Sequence, residues 1–488
     1  MNDRALPPRK IIPIVSATGK GGTPPADDDD GVMVSLYEAR QKIYPRSVAG
    51  FFSNWRWGMV FLTQLIFYGL PWLEWGQRQA VLFDLGARRF YIFGLVLYPQ
   101  DFIYLTGILV ISALALFLFT AVAGRLWCGY ACPQTVYTEI FLWLEKFTEG
   151  DRSARMRRDS GPWTKDKILR KVSKHALWLG VGLWTGLTFV GYFTPIKELA
   201  GAVVHWQLGS WEVFWFLFYS FATYGNAGFM RELVCKHMCP YARFQSAMFD
   251  RDTLIVTYDE ARGEPRGARS RKADPAKLNL GACVDCSLCV QVCPTGIDIR
   301  KGLQYECIGC GACADVCDTV MDKLGYARGL VKYSTQNAIT QNWTRGQTLR
   351  HVLRPRVLIY SGILAAIVVA MVVSLTLRTP FKVDVVRDRG VLARIVEGGR
   401  IENVYRLQIM NATESEQRFT IAADGLPGLV VVTEGDVVVE PTQSRWTAVR
   451  VQAPYDAAPA GSHTIHFQIS GQGSTGQVTE KSVFIVPR

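Results

Sequence analysis

At 488 residues the chain exceeds what one hydrophobic core serves, so two or more domains are expected. Its net charge of +12 comes from 54 Lys and Arg against 42 Asp and Glu, and their uneven placement along the chain needs no nucleic acid to explain it. Mean hydropathy is only slightly positive, yet the apolar residues gather in runs, which excludes a uniformly soluble globule and points to a membrane protein with soluble parts.

No signal peptide is expected at the start. Residues 1–45 contain Pro7-Pro8, Pro24-Pro25 and the acidic run Asp27 to Asp30, which reads as a disordered tail. Five apolar runs follow, between Arg56 and Glu74, Asp101 and Arg125, His175 and Lys197, Glu212 and Arg231, and Arg356 and Arg378. Each approaches the roughly 20 residues a helix needs to cross a bilayer. The stretch from Arg125 to Lys174 is dense in Lys and Arg, whereas Glu198 to Ser210 has none. By the positive-inside rule the basic stretch faces the cytoplasm, the N-terminus joins it there, and the C-terminal domain lies outside.

Two short motifs, Cys128-x3-Cys132-Pro133 and Cys235-x3-Cys239-Pro240, each follow a span that returns to the cytoplasm. If the helix continues, residues four apart share a face and each motif presents two thiols side by side, with proline closing the turn. The order outward span, inward span, arginine, Cys-x3-Cys-Pro occurs from Trp55 to Pro133 and again from Leu177 to Pro240. Such a parallel duplication would bring all four thiols together. Three chemistries stay open for them: soft-ligand binding and reduction of copper, with His237 and Met238 as further donors; a dithiol cycling through a disulfide; and structural zinc. None of the six histidines lies deep in a span, so membrane haem is not expected.

After the first motif, VYTEIFLWLEKF places Val136, Ile140, Phe141, Trp143, Leu144 and Phe147 mainly on one side and Glu139, Glu145 and Lys146 elsewhere. That reads as an amphipathic helix on the membrane surface, with a core helix as the alternative. A basic, solvated loop is expected over residues 150–167.

The densest chemistry lies in Cys283-x2-Cys286-x2-Cys289-x3-Cys293-Pro294 and Cys307-x2-Cys310-x2-Cys313-x3-Cys317. Three closely spaced cysteines converge on one iron–sulfur cubane, and the fourth ligand comes from the other motif. By that rule Cys283, Cys286, Cys289 and Cys317 hold one 4Fe-4S cluster, and Cys307, Cys310, Cys313 and Cys293 hold the second. Zinc would use separated pairs instead. Asp318 stands where proline usually follows the last cysteine, which is expected to change the local turn. All twelve cysteines fall on the reducing side of the expected topology, as suits ligands rather than disulfides.

Residues 380–488 carry short alternating segments separated by polar turns, the pattern of an antiparallel sandwich. Trp446 is expected in its core. His463 and His466 are weighed as a metal pair, but binding of a partner is the preferred role of this domain.

In order, these features resemble the CcoG family, also called FixG or RdxA. ARRFYIFGLVLYPQDF, RLWCGYACPQTVYTEIF, CKHMCPYARFQSAMFD and CIGCGACADVC carry the resemblance, which runs from about Tyr44 to the end. The resemblance implies a bacterial inner-membrane protein that reduces Cu(II) to Cu(I) for the copper centre of cbb3-type cytochrome oxidase. It also implies an Ig-like outer domain. The expected fold is therefore a multidomain membrane protein. It comprises a tail (1–45), a four-span helical domain (46–240), a cytoplasmic two-cluster ferredoxin-like α+β domain (241–355), a fifth transmembrane helix (356–378) and a periplasmic Ig-like β-sandwich (379–488). Copper is the expected substrate, acting at Cys128, Cys132, Cys235 and Cys239. Copper-handling and oxidase-assembly proteins, a cytoplasmic electron donor and a second copy in a homodimer are the expected partners. A quinol-linked electron-transfer subunit and a non-enzymatic copper chaperone or scaffold are the competing functions.

Overall fold

The computed structural model describes residues 42–270, 276–388, 390, 393–433, 435–472 and 476–487. The expected tail lies outside these up to residue 41. Its last residues are pinned: the Tyr44 hydroxyl donates to Asp159 at 2.6 Å, and Arg152 donates to the Tyr44 carbonyl.

Helix α1 (Phe51–Gly69) is followed by five short strands, then α2 (Phe102–Ala123), α3 (Leu126–Tyr130), α4 (Pro133–Glu149), α5 (Arg152–Ser160) and α6 (Lys165–Val190). Next come α7 (Ile196–Val204), α8 (Ser210–Gly225), two π-helical turns (Asn226–Met230 and Val234–Met238) and α9 (Pro240–Met248). All five apolar runs are helical, the fifth as α15 (Pro355–Thr376), but only Pro99–Ala123 and Pro355–Thr376 are long and apolar enough to cross a membrane. The others are diluted by polar residues: α1 carries Ser53, Asn54, Arg56 and Gln64, α6 opens on Lys165, Asp166 and Lys167, and α8 has 16 residues. The chain thus has apolar helices suited to membrane association.

Helix α15 packs along α2, where the Tyr104 hydroxyl meets Ser374 at 3.1 Å. Helix α6 packs along α8, and Gly182 and Gly186 let the two backbones close on Ser220, the small-residue contact that helices use in lipid.

Residues 150–167 are not a solvated loop. Half of them form α5, and Arg155 within it is 4% exposed, because its guanidinium is held by Glu145. The polar side of α4 is corrected as well: Glu145 and Glu149 are buried while Trp143 and Phe147 are exposed. Ion pairs with Arg155, Arg231, Lys171 and Lys174 make that burial tolerable.

The strands after α1 are β1 (Glu74–Trp75), β2 (Arg78–Gln79), β3 (Val81–Asp84), β4 (Arg89–Ile92) and β5 (Leu95–Leu97), in two small antiparallel sheets. They form a seat for the C-terminal domain. Asp101, its side chain 1% exposed, binds Arg378 at 2.5 Å and Lys382 at 3.1 Å. Tyr98 donates to the Asn411 carbonyl at 2.8 Å.

The cysteine-rich region is framed by β6 (Ile255–Tyr258) paired antiparallel with β7 (Val331–Ser334). Between them lie α10 (Glu260–Gly263), α11 (Leu288–Gln291) and α12 (Ala312–Leu324); α13 (Gln336–Thr340) and α14 (Arg345–Val352) lead on to α15. The missing proline has a larger effect than a changed turn. Asp318 continues α12 beyond Cys317, and its carboxylate accepts from the Gly329 N–H at 2.8 Å.

The C-terminal domain is a sandwich. One sheet orders β12 (Val430–Val432), β14 (Ser444–Pro454), β10 (Arg400–Asn411) and β8 (Phe381–Arg387), with β9 (Arg394–Val396) beside β10. The other orders β13 (Val437–Val439), β11 (Gln417–Asp424), β15 (Gly461–Gln472) and β16 (Gln477–Val486). Trp446 is not in the core. On β14 the inward set is Val449, Val451 and Ala453, so an even-numbered residue points outward, and Trp446 is 55% exposed. The two histidines do not form a metal pair either: an odd spacing on β15 puts them on opposite faces, where His463 bonds the Pro459 carbonyl and His466 faces Asp424.

Candidate functional site

The two long cysteine motifs surround two cavities. Cys283, Cys286, Cys289 and Cys317 line one of about 390 Å³. Cys293, Cys307, Cys310 and Cys313 line the other, of about 350 Å³, with Cys289 on a shared wall. The last cysteine of each motif therefore faces the other motif's cavity. Local backbone explains how the loops wrap: Asp285 and Ser287 lead into α11, and Gly309 and Gly311 into α12, all at positive φ.

Apolar neighbours finish the walls. Leu288, Val320, Met321, Leu330 and Val331 close the first cavity, and Val256, Ile297, Ile299 and Ile308 the second. Burial pushes the thiol of Cys289 up to about 11 and those of Cys307 and Cys317 up to about 12. A sulfur here becomes a thiolate only when a bound cation offsets the lost hydration. All twelve cysteines are free. Among the described residues no three His, Cys, Asp or Glu side chains close on one point as ligands of a single ion would. Four thiols ringing a cavity, rather than meeting at its centre, suit an iron–sulfur cubane better than zinc. The two ends of the pair differ: Cys286 is exposed and Cys310 is buried.

The four remaining cysteines come together beside the second cavity. Cys128 lies within the electrostatic reach of Cys132, Cys235 and Cys239. Cys128 and Cys235 both pack on the apolar cluster that contains Ile308, Cys310 and Ala312. Contact is tightest at Gly129, where a β-carbon would stand 2.9 Å from the carbonyl oxygens of both Ile308 and Gly309. Tyr130 donates to the Cys310 carbonyl at 3.3 Å, and Tyr333 donates to that of Gly309.

A continuous helix does not carry these pairs. Cys128 lies in α3 and Cys235 in a π-helical turn, while Cys132 and Cys239 are the N-caps of α4 and α9, each followed by proline. Both motifs nevertheless repeat one wide turn: the Cys132 N–H donates to the Trp127 carbonyl at 3.0 Å, and the Cys239 N–H to that of Val234 at 2.8 Å. Burial raises the Cys132 thiol, and the nearby backbone N–H groups of Gln134 and Thr135 partly offset that rise. Burial, then Cys132, raises the Cys128 thiol to about 12, against the pull of Arg125, and burial raises Cys235 to about 11. Cys128 donates to the Gln245 side-chain amide oxygen, Oε1, at 3.2 Å. His237 and Met238 sit on the π-helical turn, and Met238 is 56% exposed.

Three supports escaped the sequence reading. Asp315, between Cys313 and Cys317, accepts from the N–H groups of Phe52 and Ser53 and so ties α12 to the start of α1. Gln245 is fully buried and also bonds Thr120. Arg231, between the two π-helical turns, pairs with Glu145 at 2.7 Å. Each depends on a partner far away in sequence, so no local spacing marks it.

The chain is similar to known proteins along most of its length. A family profile described as "4Fe-4S dicluster domain" matches residues 230–336, "4Fe-4S binding domain" matches 105–149, and "IG-like fold at C-terminal of FixG" matches 371–487. The nitrogen fixation protein FixG of Rhizobium meliloti (strain 1021) is 40% identical over 82% of this chain and 82% of its own. Protein RdxA of Cereibacter sphaeroides is 38% identical over 87% of this chain and 92% of its own. A crystal structure of a FixG-related protein from Vibrio parahaemolyticus aligns with 22% of this chain and 97% of its own, at 25% identity and a TM-score of 0.21. The C-terminal sandwich is accordingly the Ig-like domain that accompanies FixG, and the two long cysteine motifs belong to a 4Fe-4S dicluster domain. With relatives matching along most of its length, the chain belongs to the FixG/RdxA family of iron–sulfur electron-transfer proteins.

Proposed function

We propose that this protein reduces Cu(II) to Cu(I) at Cys128, Cys132, Cys235 and Cys239, and that the product serves the copper centre of a cbb3-type cytochrome oxidase. Cys283, Cys286, Cys289 and Cys317 would hold one 4Fe-4S cluster, and Cys293, Cys307, Cys310 and Cys313 the other. When bound, such clusters take up and release single electrons. The reaction adds one electron to Cu(II), and thiolate ligands favour the monovalent product because soft donors suit the softer ion.

One observation carries this reading: the two Cys-x3-Cys-Pro motifs bring four thiols within electrostatic reach of one another, and two of them, Cys128 and Cys235, pack against the cluster that contains Cys310. Two thiolates suffice for Cu(I), and the N–H groups of Gln134 and Thr135 assist the ionised form of Cys132. The exposed Cys286 marks the end at which a cytoplasmic donor delivers electrons. The reading includes five spans, the cysteines on the cytoplasmic side, the Ig-like domain in the periplasm, and a homodimer.

Cysteine-to-serine variants at positions 128, 132, 235 and 239 test it. Reduction of Cu(II) is expected to disappear while the cluster electron paramagnetic resonance signal persists. Persisting reduction would exclude these thiols as the site.

One observation favours a second reading. The profile described as "4Fe-4S binding domain" spans Cys128 and Cys132, so the four thiols would instead hold a third cluster. Iron content separates the two.

A further inference from the structure

We infer that the cavity between α1, α4 and the segment 45–48 is a binding site for the headgroup of an acidic phospholipid. The charged lining of the cavity is Arg46, Arg56, Lys146 and Arg155 against Glu139 and Asp151, an excess of two cations. Two of these cations are already used: Arg56 pairs with Glu139 at 2.5 Å, and Arg155 with Glu145. Both are buried, with side chains 7% and 5% exposed. Arg46 and Lys146 form no ion pair among the described residues; set against the one remaining lining carboxylate, Asp151, which lies within the electrostatic reach of Lys146, they leave an excess of one cation for an anion.

The remaining lining says where that anion comes from. Trp57 and Trp143 line the cavity with ring centroids 6.4 Å apart, and Phe147 stacks on Trp143. Trp143, Phe147 and Phe61 are 52%, 74% and 68% exposed. Exposed aromatic rings at the end of an apolar helix sit at headgroup depth in a bilayer, and a basic pocket at that depth recognises acidic lipid. Acyl chains would run along the exposed rings while the phosphate meets Arg46 and Lys146. A free phosphate would use the cations alone and leave the aromatic lining without a role.

The site also touches the redox region. Val292, Pro294 and Ala312, neighbours in sequence of Cys293 and Cys313, form its inner wall. A bound lipid would therefore brace the second cysteine cavity from the membrane side. The inference stands apart from copper reduction, which can fail while lipid preference remains.

The test uses the full chain, delipidated in detergent, with binding of phosphatidylglycerol and phosphatidylcholine counted by native mass spectrometry. Phosphatidylglycerol is expected to bind selectively. The double variant Arg46→Gln, Lys146→Gln is expected to bind it about 30-fold more weakly with unchanged iron content. Should that variant lose iron, Lys146→Gln alone, at an exposed position, should weaken binding about five-fold. Inorganic phosphate at millimolar concentration should not displace the lipid. Equal binding of the two lipids, unchanged binding by the variants, or displacement by phosphate would overturn the inference.

Discussion

Gly129 rests directly on Gly309: a β-carbon at Gly129 would lie 2.9 Å from the Gly309 carbonyl oxygen. The first Cys-x3-Cys motif thus touches the loop of the second long cysteine motif with no side chain between them. A short path from the buried cavity to the gathered thiols follows from this contact.

Replacing Gly129 with alanine forces the two loops apart. An overpacking cost of about 1–3 kcal/mol is expected, together with a shifted cluster signal and, under the proposed function, slower copper reduction. Gly58→Ala on α1 is the control, because nothing lies within 4 Å of its added carbon. Thermal unfolding and electron paramagnetic resonance of the two variants should differ accordingly.

Glu145 gives a pH prediction. Burial alone would raise its carboxyl, but Arg231 and Arg155 outweigh burial and hold it below the ordinary carboxylate value. A depressed folded value means that its stabilisation is complete above the unfolded value of about 4.3 and is lost as pH falls through the lower folded value. Glu145→Gln leaves two buried arginines without their anion and should cost about 3–5 kcal/mol at neutral pH. Its unfolding midpoint should then respond less to acid than that of the unaltered protein.

Asp101 should govern the seating of the Ig-like domain. Asp101→Asn removes the charge facing Arg378 and Lys382. Limited proteolysis should then cut near Thr379 far faster, while the iron content stays the same. Equal cutting rates would mean that the other contacts, among them Tyr98 with Asn411 and Arg78 with Glu414, hold the domain without Asp101.

The crossed arrangement of the long motifs predicts paired phenotypes. Cys317→Ser should damage the same cluster as Cys286→Ser, and Cys293→Ser the same one as Cys310→Ser. Spectra that group Cys317 with Cys310 instead would refute the crossed assignment.

The cysteine motifs were legible because their information is local: a three-residue spacing and a following proline already dictate loops that wrap inward. The sandwich was legible from alternation, yet Trp446 was misjudged because hydrophobicity was given more weight than strand phase. Val449, Val451 and Ala453 set that phase, and Trp446 falls on the other face. Glu145 was misjudged for a different reason. A carboxylate looks solvent-facing until Arg155 and Arg231 are brought to it by folding. Asp315 was invisible as a cap because the N–H groups it accepts belong to α1. Helix positions were readable from the apolar runs, whereas the polar residues of α1 and the charged start of α6 dilute the signal for a span.

The most direct test of the account is the iron and acid-labile sulfide content of protein purified without oxygen. Two cubanes on eight thiolates predict about eight iron and eight sulfide per chain. Zinc in place of iron, with no labile sulfide, would contradict the electron-transfer role and the copper chemistry built on it.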